Sequence, residues 1–103
     1  MWRPTASLLG LALCLPAQAG GDPEAGKRVF LELAQPSCAL CHSLKDAGAE
    51  GQIGPSLDEL KPTETQVAQA VTNGVGIMPA FKDSLSPEQI ADLARYVEQA
   101  AGQ

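Results

Sequence analysis

The sequence predicts an all-α domain of three main helices joined by two long irregular loops. Three observations lead there. Helix-start signals recur three times along the chain, each followed by apolar residues at helical spacing. No stretch shows the period-two alternation of a half-buried strand. Between the helices lie two runs punctuated by glycine and proline, which favour turns over regular structure.

The elements follow in order. Asp22-Pro23-Glu24 opens the first helix, with Asp22 as cap, Pro23 at the first helical position and Glu24 in the first turn. Ala25, Val29, Phe30 and Leu33 form its apolar stripe, and Gln35-Pro36 ends it, because the residue before a proline avoids the helical region. A loop follows, marked by Gly48, Gly51, Gly54 and Pro55, with a helical turn expected over Ser56 to Leu60. Thr63 and Gln66 make a capping box for the second helix, which carries Val67, Ala70 and Val71 on one face and closes at Asn73-Gly74. The second loop runs from Val75 to Asp83 and holds Met78-Pro79. Ser86-Pro87-Glu88-Gln89 starts the last helix, striped by Ile90, Leu93, Ala94 and Val97 and ended by Gly102.

The chain has 103 residues, enough for one small domain, and its first part reads as a leader. Arg3 supplies a short positive region, Ala6 to Leu15 an apolar run too short to span a bilayer, and Pro16-Ala17-Gln18-Ala19 an A-x-A cleavage site. Residues 1–19 are therefore expected to be a signal peptide and residues 20–103 the working domain, exported to the periplasm. Cys14 would leave with the leader; Leu13 before it is too large for a lipidation site. The remaining 84 residues hold six basic and twelve acidic side chains, a net charge of −6. That balance argues against nucleic acid or an anionic membrane surface as partner, since both attract basic patches. No second apolar stretch is long enough to span a membrane, so no stable membrane insertion is expected.

A domain this small buries little surface and usually needs a staple. Its aromatics are only Phe30, Phe81 and Tyr96. Two long loops would count against so short a domain unless both wrap a bound group.

The group is indicated by CALCH, residues Cys38-Ala39-Leu40-Cys41-His42. A thioredoxin-like dithiol would sit in a βαβ context, and a structural zinc ion would take four Cys or His ligands where three remain. A disulfide between Cys38 and Cys41 would explain neither His42 nor the thin core. C-x-x-C-H is instead the attachment site of one covalent haem c: each thiol adds to one vinyl group, and the next histidine becomes the proximal iron ligand. The ring would be buried against Phe30, Leu33, Leu40, Leu57, Val67, Val71, Ile77, Leu93 and Val97.

One axial position is then left. Met78 is the only methionine outside the leader; it lies in a loop stiffened by Pro79, not on a helix stripe. A lone methionine is commonly core filler, but this setting favours iron ligation. A thioether is a soft neutral ligand that raises the reduction potential, and a filled sixth position shuts out small ligands.

Gly26-x-x-x-Phe30, CALCH, Gly54-Pro55-x-Leu57, the run Asn73 to Phe81 (NGVGIMPAF) and a terminal helix with Tyr96 together resemble the class I c-type cytochromes, more narrowly the short bacterial ones. The resemblance implies a small class I cytochrome c fold, with the first and last helices crossing near Gly26, Phe30, Leu93 and Tyr96. It also implies that the Pro55 carbonyl accepts a hydrogen bond from His42 Nδ1. Seven residues separate Phe30 from Cys38, more than in many short members, so a first helix about one turn longer is expected. The run PSCALCHSLKDAG, with GPSLDELKP, is similar to small cytochromes that accept electrons from bacterial sulfite dehydrogenases.

The function expected is a monomeric periplasmic electron carrier rather than an enzyme. Its partners would be redox proteins: a dehydrogenase as donor, an oxidase or another cytochrome as acceptor. Asp46, Glu50, Asp58, Glu59 and Asp83 are candidates to bias docking, with plain solvated surface as the alternative. A haem subunit of a dehydrogenase complex, such as sulfite dehydrogenase, would differ by co-purifying at fixed ratio. An open-site haem enzyme or gas sensor would need Met78 off the iron, and the chain offers no second histidine for a distal site.

Overall fold

In the computed structural model, residues 3–5, 10 and 21–103 are described. The leader cleavage site and Cys14 lie outside these residues. Helix α1 (Pro23–Arg28) starts where Asp22 accepts a hydrogen bond from the Glu24 amide and runs straight into a π-helical turn, Val29–Leu33. The helix thus continues past Phe30, as the wide spacing to Cys38 required. A π-turn is the form an inserted residue takes inside a helix. It also shifts the 3.6-residue register, so Leu33 leaves the inner face and is 39% exposed.

Ser37 caps the single turn α2 (Cys38–Cys41). Strands β1 (Ser43–Leu44) and β2 (Ala49–Glu50) follow as an antiparallel hairpin around the 3₁₀ turn Lys45–Ala47. This hairpin departs from the strand-free expectation: each strand is two residues long, too short to show alternation. The helical turn expected here is α3 (Leu57–Leu60), and Ser56 caps it. Helices α4 (Glu64–Asn73) and α5 (Pro87–Ala100) both begin with complete capping boxes, Thr63 with Gln66 and Ser86 with Gln89.

The core forms where α1 and α4 pack on α5. Phe30, Leu44, Leu93 and Val29 are its largest fully buried side chains. At the α1–α5 crossing, a Cβ on Gly26 would stand 2.0 Å from the Asp92 carbonyl oxygen and 2.6 Å from Tyr96 Cβ, so only glycine allows the approach. Phe30 and Tyr96 meet edge to face at the same crossing, their centroids 6.1 Å apart. The Tyr96 hydroxyl donates to Asp46 Oδ2 at 2.6 Å, and Lys27 Nζ lies 3.5 Å from the same oxygen. The hairpin is thereby tied to both terminal helices. Among the described residues, no helix is long and apolar enough to cross a membrane.

Candidate haem site

The helices and loops enclose a cavity of about 480 Å³. Cys38, Cys41 and His42 of one segment, with Pro55 and Met78 from two others, all line it. Phe30, Leu57, Val67, Val71, Leu93 and Val97 supply apolar wall, as expected. Leu33 and Leu40 do not line it; Leu40 is 60% exposed on the outer side of its turn. The one-turn helix α2 cannot face Leu40 inward while Cys38 and Cys41 face the cavity. Ile77 reaches the lining but remains 85% exposed, so it belongs to the rim rather than the core. Ile53, Leu60 and Val75, also exposed, stand at the cavity with it and carry the apolar character out to its mouth.

His42 is held from both sides. Its Nδ1 lies 2.8 Å from the Pro55 carbonyl oxygen. A carbonyl only accepts, so Nδ1 carries the proton and Nε2 keeps a free lone pair. Gly54 packs against the ring: a Cβ there would lie 2.7 Å from His42 Cε1 and 2.9 Å from Nδ1. The Gly54 amide donates to the Cys41 carbonyl at 2.6 Å, which sets the second segment beside the first.

Met78 is half-buried and packs against the core. It ends a tight turn in which the Val75 amide donates to the Met78 carbonyl at 3.1 Å and the Met78 amide to the Val75 carbonyl at 2.9 Å. The Phe81 amide, donating to the Val71 carbonyl at 2.7 Å, ties this loop to α4.

Burial pushes the Cys38 thiol up to about 11. Among the described residues, no lysine, arginine or carboxylate lines the cavity, so it suits a large apolar group and offers it two thiols, one imidazole and one thioether. These are the donors haem c requires. The acidic residues once candidates for docking stand outside it, and two are engaged internally: Asp46 by Tyr96, and Asp58 by the amides of Lys45 and Gly102. Sequence reasoning missed these internal links, whose partners are 13 to 50 residues apart.

The family described as cytochrome c oxidase, cbb3-type, subunit III matches residues 21–97. The chain belongs to this family of c-type cytochromes. The cytochrome is 51% identical to the c-type cytochrome SorU from Sinorhizobium meliloti, with a TM-score of 0.76 over 79% of this chain and 92% of that one. The cytochrome c6 structure from the diatom Phaeodactylum tricornutum superposes with a TM-score of 0.62 at 35% identity, over 79% of this chain and 95% of that one. Cytochrome c6 of Leptolyngbya boryana is 38% identical over 80 residues, 74% of this chain and 89% of that protein. The fold is that of a small class I cytochrome c, and the cytochrome is an electron-transfer protein that takes haem c, not an enzyme.

Proposed function

We propose that the cytochrome is a periplasmic carrier of single electrons with one covalent haem c. Cys38 and Cys41 form the thioethers, His42 and Met78 are the axial iron ligands, and the Pro55 carbonyl accepts the His42 Nδ1 proton. Residues 1–19 act as the export signal and residues 20–103 as the domain, which works as a monomer. The observation that carries this reading is the convergence of Cys38, Cys41, His42 and Met78 on one largely apolar cavity.

When bound, the haem supplies a site that takes up and releases one electron. The chain supplies the rest. Pro55 keeps His42 in the tautomer whose Nε2 lone pair is free. Phe30, Val67, Val71 and Leu93 exclude water, and the soft Met78 sulfur favours the reduced state. With both axial places filled by side chains, no position is left for a substrate. The partners are redox proteins, with a dehydrogenase as donor and an oxidase or another cytochrome as acceptor.

A spectrum of the reduced protein before and after carbon monoxide tests this. An unchanged spectrum, with a weak red Met-to-iron band in the oxidised form, is the expected result. A shift on adding the gas would replace the carrier with an open-site enzyme or sensor. A second reading, the haem subunit of a dehydrogenase complex such as sulfite dehydrogenase, is favoured by the resemblance of PSCALCHSLKDAG and GPSLDELKP to cytochromes that serve sulfite dehydrogenases. Co-purification with a dehydrogenase at fixed ratio would establish it over the free carrier.

A further inference from the structure

Segments 41–45 and 54–58 lie side by side with a constant offset of thirteen residues, joined by three rungs. The Gly54 amide donates to the Cys41 carbonyl at 2.6 Å. His42 Nδ1 donates to the Pro55 carbonyl at 2.8 Å. The Lys45 amide donates to Asp58 Oδ2 at 2.8 Å. Only the third rung is made by a carboxylate, and that carboxylate has a second attachment: the Gly102 amide, just beyond α5, donates to Oδ1 at 2.8 Å. Asp58 sits in the first turn of α3, which Ser56 caps, three residues after Pro55. One side chain therefore joins the hairpin that follows His42, the turn that follows Pro55 and the end of the last helix.

We infer that Asp58 is a positioning residue for His42: by locking the register of these two segments it holds the Pro55 carbonyl on Nδ1 and so tunes the iron. This rests on the reading of His42 as an axial ligand. A hydrogen bond to the far nitrogen of a metal-bound imidazole raises its basicity and favours the oxidised metal. Slackening the third rung lets Pro55 withdraw, weakens that donation and moves the reduction potential upward. The two amides, Gly102 first and Lys45 second, also hold the Asp58 carboxyl below the usual carboxylate range, so it accepts both bonds as an anion at neutral pH.

The test uses the haem-loaded protein and compares Asp58→Asn with Glu59→Gln, its neighbour in the same turn. Both remove one negative charge; only the first loses a rung or the α5 attachment. In the reduced protein, exchange of the His42 Nδ1 proton with solvent, read by NMR, speeds about tenfold in Asp58→Asn and stays at the wild-type rate in Glu59→Gln. The reduction potential rises further in Asp58→Asn than in its control. If Asp58→Asn matches Glu59→Gln in both readouts, Asp58 does not position His42, whatever the melting temperature does. Should Asp58→Asn fail to retain haem, a chain ending at Ala101, which lacks the Gly102 amide, takes its place. It should speed exchange in the same direction by less, and an unchanged rate overturns the inference. A wild-type spectrum without histidine-ligated iron would remove the parent reading first, through a signal that does not depend on Asp58.

Discussion

The two walls of the cavity are built differently. On the His42 side, residues far apart in sequence are cross-linked repeatedly: Cys41 with Gly54, His42 with Pro55, Lys45 with Asp58, Asp58 with Gly102 and Asp46 with Tyr96. On the Met78 side the turn from Val75 is closed by its own two backbone bonds, and Phe81 to Val71 adds one link to α4. Val75 and Ile77 in that turn are 64% and 85% exposed. Segments with few buried long-range contacts open first. The weaker wall should give way first: in a graded urea titration the Met78 contact should be lost before the His42 side unfolds.

Removing Met78 tests this at full strength and has the largest effect. In Met78→Ala the weak red band should vanish completely, carbon monoxide should bind the reduced protein, and the reduction potential should fall, because a potential-raising thioether is gone. The His42 wall, with its own cross-links, should keep the fold and the haem. Loss of the haem together with the band would show that the two walls depend on each other.

Gly54→Ala strikes the opposite wall and comes next. The new Cβ would need to stand 2.7 Å from His42 Cε1, a distance real structures avoid, so the ring or the 54–58 segment must move. Overpacking of this kind costs about 1–3 kcal/mol. Denaturant unfolding should read that loss, and the shifted His42 signals should accompany it while the red band persists. A neutral Gly54→Ala would mean that the His42 wall yields as readily as the Met78 turn.

Tyr96→Phe loosens the His42 wall at a distance, where Asp46 anchors the hairpin. The ring contact with Phe30 survives, but a hydrogen bond to a charged acceptor is lost, worth about 1.5–3 kcal/mol and less where water reaches the carboxylate. The bond to Tyr96, helped by Lys27, holds the Asp46 carboxyl below its ordinary range. A depressed carboxylate stabilises the fold above its unfolded pKa of about 3.9, and that contribution disappears as the pH falls further. The Tyr96 hydroxyl is pushed up, first by burial and then by Asp46, so its contribution is complete below about pH 10 and is lost only in stronger alkali. Below about pH 4 the wild type should therefore lose stability more steeply than Tyr96→Phe, and parallel acid limbs would show that the Asp46 link contributes nothing.

The same contrast explains what the sequence discloses. Capping pairs such as Thr63 with Gln66 and Ser86 with Gln89, and the thiols and imidazole of CALCH, act over three or four residues, so their pattern is written locally. Met78's place at the cavity is legible because its turn is local too. The carboxylate links that fix the His42 wall join Asp58 to Lys45 and Gly102, and Asp46 to Tyr96, and no short pattern marks an acid that will meet a distant amide. The hairpin escaped for want of length, and Leu33 because the π-turn rotates it off the stripe that Ala25 and Val29 begin.

Leu40 is where the smallest effect is expected, and it tests how closely function follows the wall rather than the motif. It lies inside CALCH, between two cysteines that line the cavity, yet its side chain is 60% exposed and faces away from the lining. An exposed side chain away from special backbone or polar features changes stability by less than about 0.5 kcal/mol. Leu40→Ala should therefore leave the melting temperature, the red band and the His42 Nδ1 exchange rate at their wild-type values. A clear change in any of them would place Leu40 against the haem after all. The position between the cysteines would then count as part of the His42 wall, and the turn α2 would have to rotate when the haem is attached.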